Sequence, residues 1–180
     1  MIFDQLKING AYVISPEPIS DARGHFARLW CQDEFRAQGV RTDFVQMNAS
    51  LSHGAGTLRG LHYQAVPHSE AKLVRCTRGV IFDVAVDLRA DSETFGEWFG
   101  RELSQKKGDM LYVPEGCAHG YLTLTRGAEV SYMVTVPYAP HAERGIRHDD
   151  PMFDIEWPIE VRHISEKDRS WVDFNLDKAE

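Results

Sequence analysis

Between Gly56 and Lys72 the chain reads GTLRGLHYQAVPHSEAK, bringing a guanidinium, an imidazole and an ammonium (Arg59, His62 and Lys72) into one short segment. If it is extended, His62 and Gln64 share one face and Leu61 and Tyr63 take the other. Three cationic or proton-transferring groups beside an apolar sheet interior suit an anionic substrate on which a proton must be moved. The same residues also describe an ordinary solvated edge strand, and this stretch alone leaves both readings open. Strict alternation sets Arg59 opposite His62, so for both to face a ligand the strand needs a bulge near Gly60.

The rest of the chain supplies the elements that would position these groups. From Phe44 onward the pattern is strand after strand: Phe44 to Ser50, Leu58 to Gln64, Ala71 to Arg78, Val80 to Leu88, Phe95 to Leu103, Met110 to Val113, Gly120 to Thr125 and Glu129 to Val136. Short Gly, Pro, Asp or Lys-Gly breaks separate them. In Val80 to Leu88 the apolar residues Val80, Phe82, Val84, Val86 and Leu88 share one parity and Asp83 and Asp87 the other, which predicts one core face and one polar face. Upstream, Ala11 to Ile14 and His25 to Trp30 read as two strands joined by turns, and Asp33 to Gln38 as a short helix ending at Gly39. Downstream, Tyr138 to Pro158 reads as a long packed loop anchored by Trp157, and Ser165 as the N-cap of a short C-terminal helix. Many short strands with little helix predict an all-β sandwich or barrel, and eight or more suggest a jelly roll.

With 180 residues, 43% of them hydrophobic, the whole span 1–180 is expected to form one domain around one core. A net charge of −7, with no basic stripe, argues against a nucleic-acid partner. Three widely spaced cysteines, Cys31, Cys76 and Cys117, indicate neither a disulfide framework nor a zinc knuckle. Asp4 and Lys7 interrupt any signal-peptide core, and no run approaches a membrane span, so a cytoplasmic protein with no membrane partner is expected.

Gly54, Gly56 and Gly60 miss the dinucleotide fingerprint by one residue and precede a strand instead of opening a helix. No GxSxG, Walker A or HExxH sequence occurs. Gly108-x5-Pro114-x-Gly116-x2-His119 resembles the second motif of the cupins, small jelly-roll proteins that often bind a metal. Their first motif needs His-x-His, whereas this chain has His62-Tyr63-Gln64, and losing one imidazole argues against a resident metal. A metal cupin, a dioxygenase or isomerase using His62, Glu70 and His119, is the rival reading.

RGLHYQ, Glu70 to Val74, FDVAVDLR, TFGEW, LYVPEGCAHGYLTL, the Tyr132 strand, ERGIRHDDP, IEWP and SEKDR together resemble the dTDP-4-dehydrorhamnose 3,5-epimerase family, in order and over nearly the whole chain. The resemblance implies a cupin jelly roll working as a homodimer, with no metal or other cofactor, on a nucleotide-linked 4-keto-6-deoxy sugar. By similarity His62 is the base, Asp168 orients it, Lys72 steadies the enolate oxygen and Tyr132 is the acid on the opposite wall. Arg59, Arg23 and His119 would hold diphosphate or sugar oxygens, Phe26 would stack on the nucleotide base, and Gln46 and Asn48 would hydrogen-bond the nucleotide. The chain departs from the family pattern at Arg28, where an acid is typical, at Cys117, where phenylalanine is usual, and at Met133, where lysine is common. Those departures leave dTDP-, GDP- and CDP-linked sugars as alternatives, and inversion at C3, C5 or both. A non-catalytic sugar-nucleotide-binding module is the second rival.

Overall fold

The computed structural model describes residues 1–175, and the last five residues of the expected domain 1–180 lie outside the described part. The elements run β1 (Ile2–Gln5), β2 (Tyr12–Ser15), β3 (Ile19–Asp21), β4 (Gly24–Phe26), α1 (Gln32–Ala37), β5 (Gln46–Ser52), β6 (Leu58–Gln64) and β7 (Lys72–Arg78). They continue with β8 (Val80–Asp87), β9 (Trp98–Ser104), β10 (Met110–Val113), β11 (Cys117–Thr123), β12 (Ala128–Val134), β13 (Glu143–Gly145) and α2 (Glu166–Arg169). One sheet has the order β1-β2-β10-β7-β12-β5, the other β13-β6-β11-β8-β9, and β3 and β4 form a separate hairpin. The strand pairs in all three are antiparallel. Face to face, the two large sheets make the expected all-β jelly roll.

Alternation along each strand sorts side chains into three apolar layers. Val74, Cys76, Ile81, Leu111, Tyr121 and Val130 meet between the sheets. Ile14, Leu73, Met110 and Tyr112 point outward from the six-stranded sheet and are covered by Phe35, the one buried residue of α1. On the far side Leu61, Val84, Val86 and Ala118 are covered by Ile146, Phe153 and Ile155 from the tail. Trp157 packs edge-on to Phe82 and its Nε1 donates to the His148 carbonyl at 2.8 Å, so the tail is anchored as the sequence suggests.

That tail corrects the reading of Val80 to Leu88. Asp83 and Asp87 are both 0% exposed. They share parity with Ile81 and Ala85, which face the interior between the sheets, while the apolar parity faces the tail. Alternation distinguishes two faces but cannot say which of them a later segment will cover. Asp87 then shapes the next connection, because its carboxylate accepts from Arg89 Nη2 at 2.7 Å, Ser92 Oγ at 2.6 Å and Thr94 Oγ1 at 2.7 Å. Burial alone would raise this carboxyl, but these donors outweigh it and hold it at about 2. The turns they fix delay β9 to Trp98, later than the expected Phe95.

β11 starts at Cys117, earlier than expected, where its backbone already pairs with Asp87 of β8. Of the expected His25 to Trp30 run only His25 and Phe26 are strand, within β4, which pairs with β3 alone. β1, β3 and β13 were not anticipated, since three or four residues are too few to show a period. Among the described residues no helix is long and apolar enough to cross a membrane.

Candidate active site

A cavity of about 740 Å³ opens between the sheets. β6, in the five-stranded sheet, contributes Arg59 and His62, and β12, in the six-stranded sheet, contributes Tyr132 to the same cavity. The bulge that the spacing of Arg59 and His62 requires is present. His119 of β11 is paired with His62 but Tyr121 with Arg59, so Gly60 and Leu61 together oppose Gly120. Gly60 has φ +120°, and a Cβ there would sit 2.5 Å from the Gly120 Cα, which explains glycine at this point. The extra residue turns Arg59 and His62 toward one ligand space.

His62 Nε2 lies 2.7 Å from Asp168 Oδ1. Burial would raise the Asp168 carboxyl, but the hydrogen bond and charge of His62, the Gly60 N–H and the Ser165 hydroxyl outweigh it, so the group lies below the usual carboxylate range. An ionised carboxylate only accepts, so Nε2 carries the proton and Nδ1 is left as the basic nitrogen. α2 supplies Asp168 because Ser165 caps the helix, its Oγ accepting from the Asp168 N–H at 3.0 Å.

Burial raises the Tyr132 phenol, although Arg59 pulls the other way, so the hydroxyl keeps its proton near neutral pH. Lys72 is 7% exposed and ion-paired with Glu70 on the cavity wall. His119 Nε2 lies 2.8 Å from Asp83 Oδ1, and burial pushes that carboxyl up against the opposing charge of His119. Gln46 Nε2 donates to Asn48 Oδ1 at 2.9 Å, and both residues line the cavity. Arg59 Nε donates to Ser52 Oγ at 3.1 Å, which aims the guanidinium along the wall.

The other two expected ligand contacts, Arg23 and Phe26, do not line this cavity. The Arg23 side chain is 90% exposed and paired with Asp21, and Phe26 is 71% exposed. Both ride on the β3–β4 hairpin, which is joined by strand pairing to neither large sheet. Arg28 is likewise remote from the cavity, bonded to Glu34 at 2.8 Å. Cys117 is buried between the sheets, where burial pushes its thiol up to about 12, and Met133 packs on the outer face of the six-stranded sheet. Neither of these two departures reaches the cavity.

Sequence reasoning missed a polar cluster at the cavity wall. Tyr138 Oη donates to Glu143 Oε2 at 2.5 Å, and Lys167 Nζ sits 2.5 Å from Glu143 Oε1. Burial would raise the Glu143 carboxyl, but Lys167 and Tyr138 lower it on balance. The only sequence signal was that Glu143 and Lys167 fall in ERGIR and SEKDR. Of the groups a metal would need, His62 and His119 each have Nε2 bound to a carboxylate, Asp168 and Asp83, and Glu70 holds Lys72 through Oε1. Among the described residues no three His, Cys, Asp or Glu side chains converge on a point.

A jelly roll whose interior faces an oriented imidazole with a protonated phenol, beside a buried ammonium, defines a cupin-type protein equipped to move protons. The sequence model of the dTDP-4-dehydrorhamnose 3,5-epimerase family matches residues 5–175, and the chain belongs to that family. It is 46% identical over 171 residues to the dTDP-4-dehydrorhamnose 3,5-epimerase of Sinorhizobium fredii, covering 94% of this chain and 88% of that one. The crystal structure of the enzyme of that name from Elizabethkingia anophelis superposes with a TM-score of 0.96 at 38% identity, covering 100% of this chain and 99% of that one. A dTDP-6-deoxy-D-glucose-3,5-epimerase from Legionella pneumophila, solved in complex with dTDP-4-keto-L-rhamnose, gives a TM-score of 0.90 at 35% identity, covering 99% of this chain and 94% of that one.

Proposed function

We propose that this chain epimerises a nucleotide-linked 4-keto-6-deoxy hexose, dTDP-linked in the first instance, at C3, C5 or both, in the synthesis of a rhamnose-like deoxysugar. The observation that carries the reading is the presence of His62, held by Asp168, and Tyr132 on facing sheets of one cavity. His62 Nδ1 takes the proton from the carbon next to the ketone. The electrons of that C–H bond form the enolate, whose oxygen charge Lys72 offsets. Tyr132 returns a proton to the opposite face, and solvent restores the phenol and the imidazole. Arg59, His119, Gln46 and Asn48 hold the sugar, diphosphate and nucleotide. No step requires electron transfer, so the chemistry closes without a redox cofactor.

We further infer that 1–180 works as a single domain within a homodimer. Met47, at 68% exposure, and Leu51, at 41%, present apolar surface on the terminal strand β5, and Ile19 and Phe26 do so on the β3–β4 hairpin. Arg23 and Phe26, remote from their own cavity, would then serve the cavity of the second copy. Sedimentation velocity should find a dimer, and a monomer at every micromolar concentration tried would remove this part of the reading. The cytoplasm suits three cysteines that are all free thiols.

Incubation with dTDP-4-keto-6-deoxyglucose in heavy water should place deuterium at C3 or C5. Wash-in on a GDP- or CDP-linked sugar alone would change the assigned nucleotide. Binding without wash-in on any of the three would leave a sugar-nucleotide-binding module.

A further inference from the structure

Glu70 precedes β7 by two residues, and its side chain meets that of Lys72, the first residue of the strand, on the cavity wall. Ala71 between them is clamped to Thr135 through two contacts, its N–H donating to Thr135 Oγ1 at 2.9 Å and its carbonyl accepting from the Thr135 N–H at 3.1 Å. Glu70 is 8% exposed and lines the cavity. One carboxylate oxygen, Oε1, holds the Lys72 ammonium. The other, Oε2, is buried with no hydrogen-bond partner among the described residues. A buried charged oxygen left unsatisfied is costly, and at the wall of a ligand cavity its partner is a donor that arrives with the ligand.

We propose that Glu70 is a substrate-binding residue whose Oε2 accepts a hydrogen bond from the C3 hydroxyl of the bound sugar while Oε1 keeps the Lys72 ammonium in place. The assignment rests on the substrate class proposed above. A 4-keto-6-deoxy hexose joined to a diphosphate at C1 has sugar O–H donors only at C2 and C3. The C4 oxygen is taken by Lys72, and it carries no proton to offer. Of the two hydroxyls, the one at C3 is vicinal to that oxygen and therefore nearest to the partner of Lys72. A carboxylate aimed at the C4 oxygen itself would oppose the enolate, so the acceptor is confined to the neighbouring hydroxyl. Glu70 thereby distinguishes the C3 side of the ketone from the C5 side, which carries the methyl group and the ring oxygen but no hydroxyl.

The test measures Kd for dTDP-4-keto-6-deoxyglucose and for its 3-deoxy counterpart by titration calorimetry in a His62→Ala background, where the base is absent and the probes persist. A hydrogen bond to a charged acceptor predicts about tenfold or greater preference for the hydroxylated probe. Glu70→Ala in that background should bring the ratio to about one, a change in discrimination that mere loss of structural support would not produce. Should Glu70→Ala fail to fold, the isosteric Glu70→Gln decides, with the ratio expected to fall to a few fold as the charge is lost. Equal Kd values for the two probes with Glu70 in place, or a preference that survives both substitutions, would overturn the assignment. If neither probe binds, the proposed substrate class itself fails, and this role for Glu70 falls with it; binding of both probes without discrimination overturns the Glu70 assignment alone.

Discussion

Replacing His62 by alanine should abolish deuterium exchange at C3 and at C5 together. The His62 imidazole is held oriented in the cavity, with Nε2 tied to Asp168 at 2.7 Å and Nδ1 left as the basic nitrogen. General base catalysis by a positioned side chain contributes about 10²- to 10⁴-fold, so exchange should fall by at least that range at both carbons. Lys167 and Glu143 also line the cavity but are bonded to each other, Lys72 is paired with Glu70, and His119 is paired with Asp83, so these neighbours are committed elsewhere. Binding of the nucleotide sugar should survive, because Arg59, Gln46 and Asn48 lie on other parts of the wall. Measured rates of exchange in heavy water for the variant and the parent decide the matter. Equal rates would remove His62 from the mechanism and leave the second wall to be reconsidered as the source of the base.

Tyr132→Phe should separate two events that the parent protein performs together. His62 still removes the proton, so deuterium still enters the sugar, but no acid faces the enolate from the β12 wall. The label is returned by the imidazole to the face it left, and net inversion falls by about 10²- to 10⁴-fold while exchange falls much less. Proton NMR of the product reads both quantities in one sample, since loss of the C3 and C5 proton signals reports exchange and the chemical shifts of the remaining ring and methyl protons distinguish the epimers. Inversion at the parent rate would show that the acid is some other group. Burial keeps the Tyr132 phenol protonated, as a donor should be, and the substitution deletes one hydroxyl from a cavity wall without adding bulk.

Both outcomes depend on geometry that only partly shows along the chain. The strands were legible because alternation over seven or eight residues is a strong local signal, as in β8, and because Gly and Pro breaks separate one strand from the next. The bulge at Gly60 was legible too, since two groups of opposite parity can reach one ligand only if a residue is inserted. The motif residues from RGLHYQ to SEKDR were sufficient for the family. β13 was not legible, and with it went the Tyr138, Glu143 and Lys167 cluster, whose members meet only because a three-residue strand pairs with β6.

What the sequence by itself determined is the alternation of faces, the all-β class and the identity of the groups able to move a proton, for these are properties of neighbouring residues. Which face of β8 lies inside was decided by the tail packing over Val84 and Val86, and that placed Asp83 against His119. Only the packing of two sheets set His62 and Tyr132 across one cavity and left Arg23 and Phe26 outside it. The physical reason is that a strand's periodicity fixes relative direction every two residues, whereas inside and outside are assigned by what is stacked on each face, through contacts between residues as far apart in the chain as His62 and Asp168.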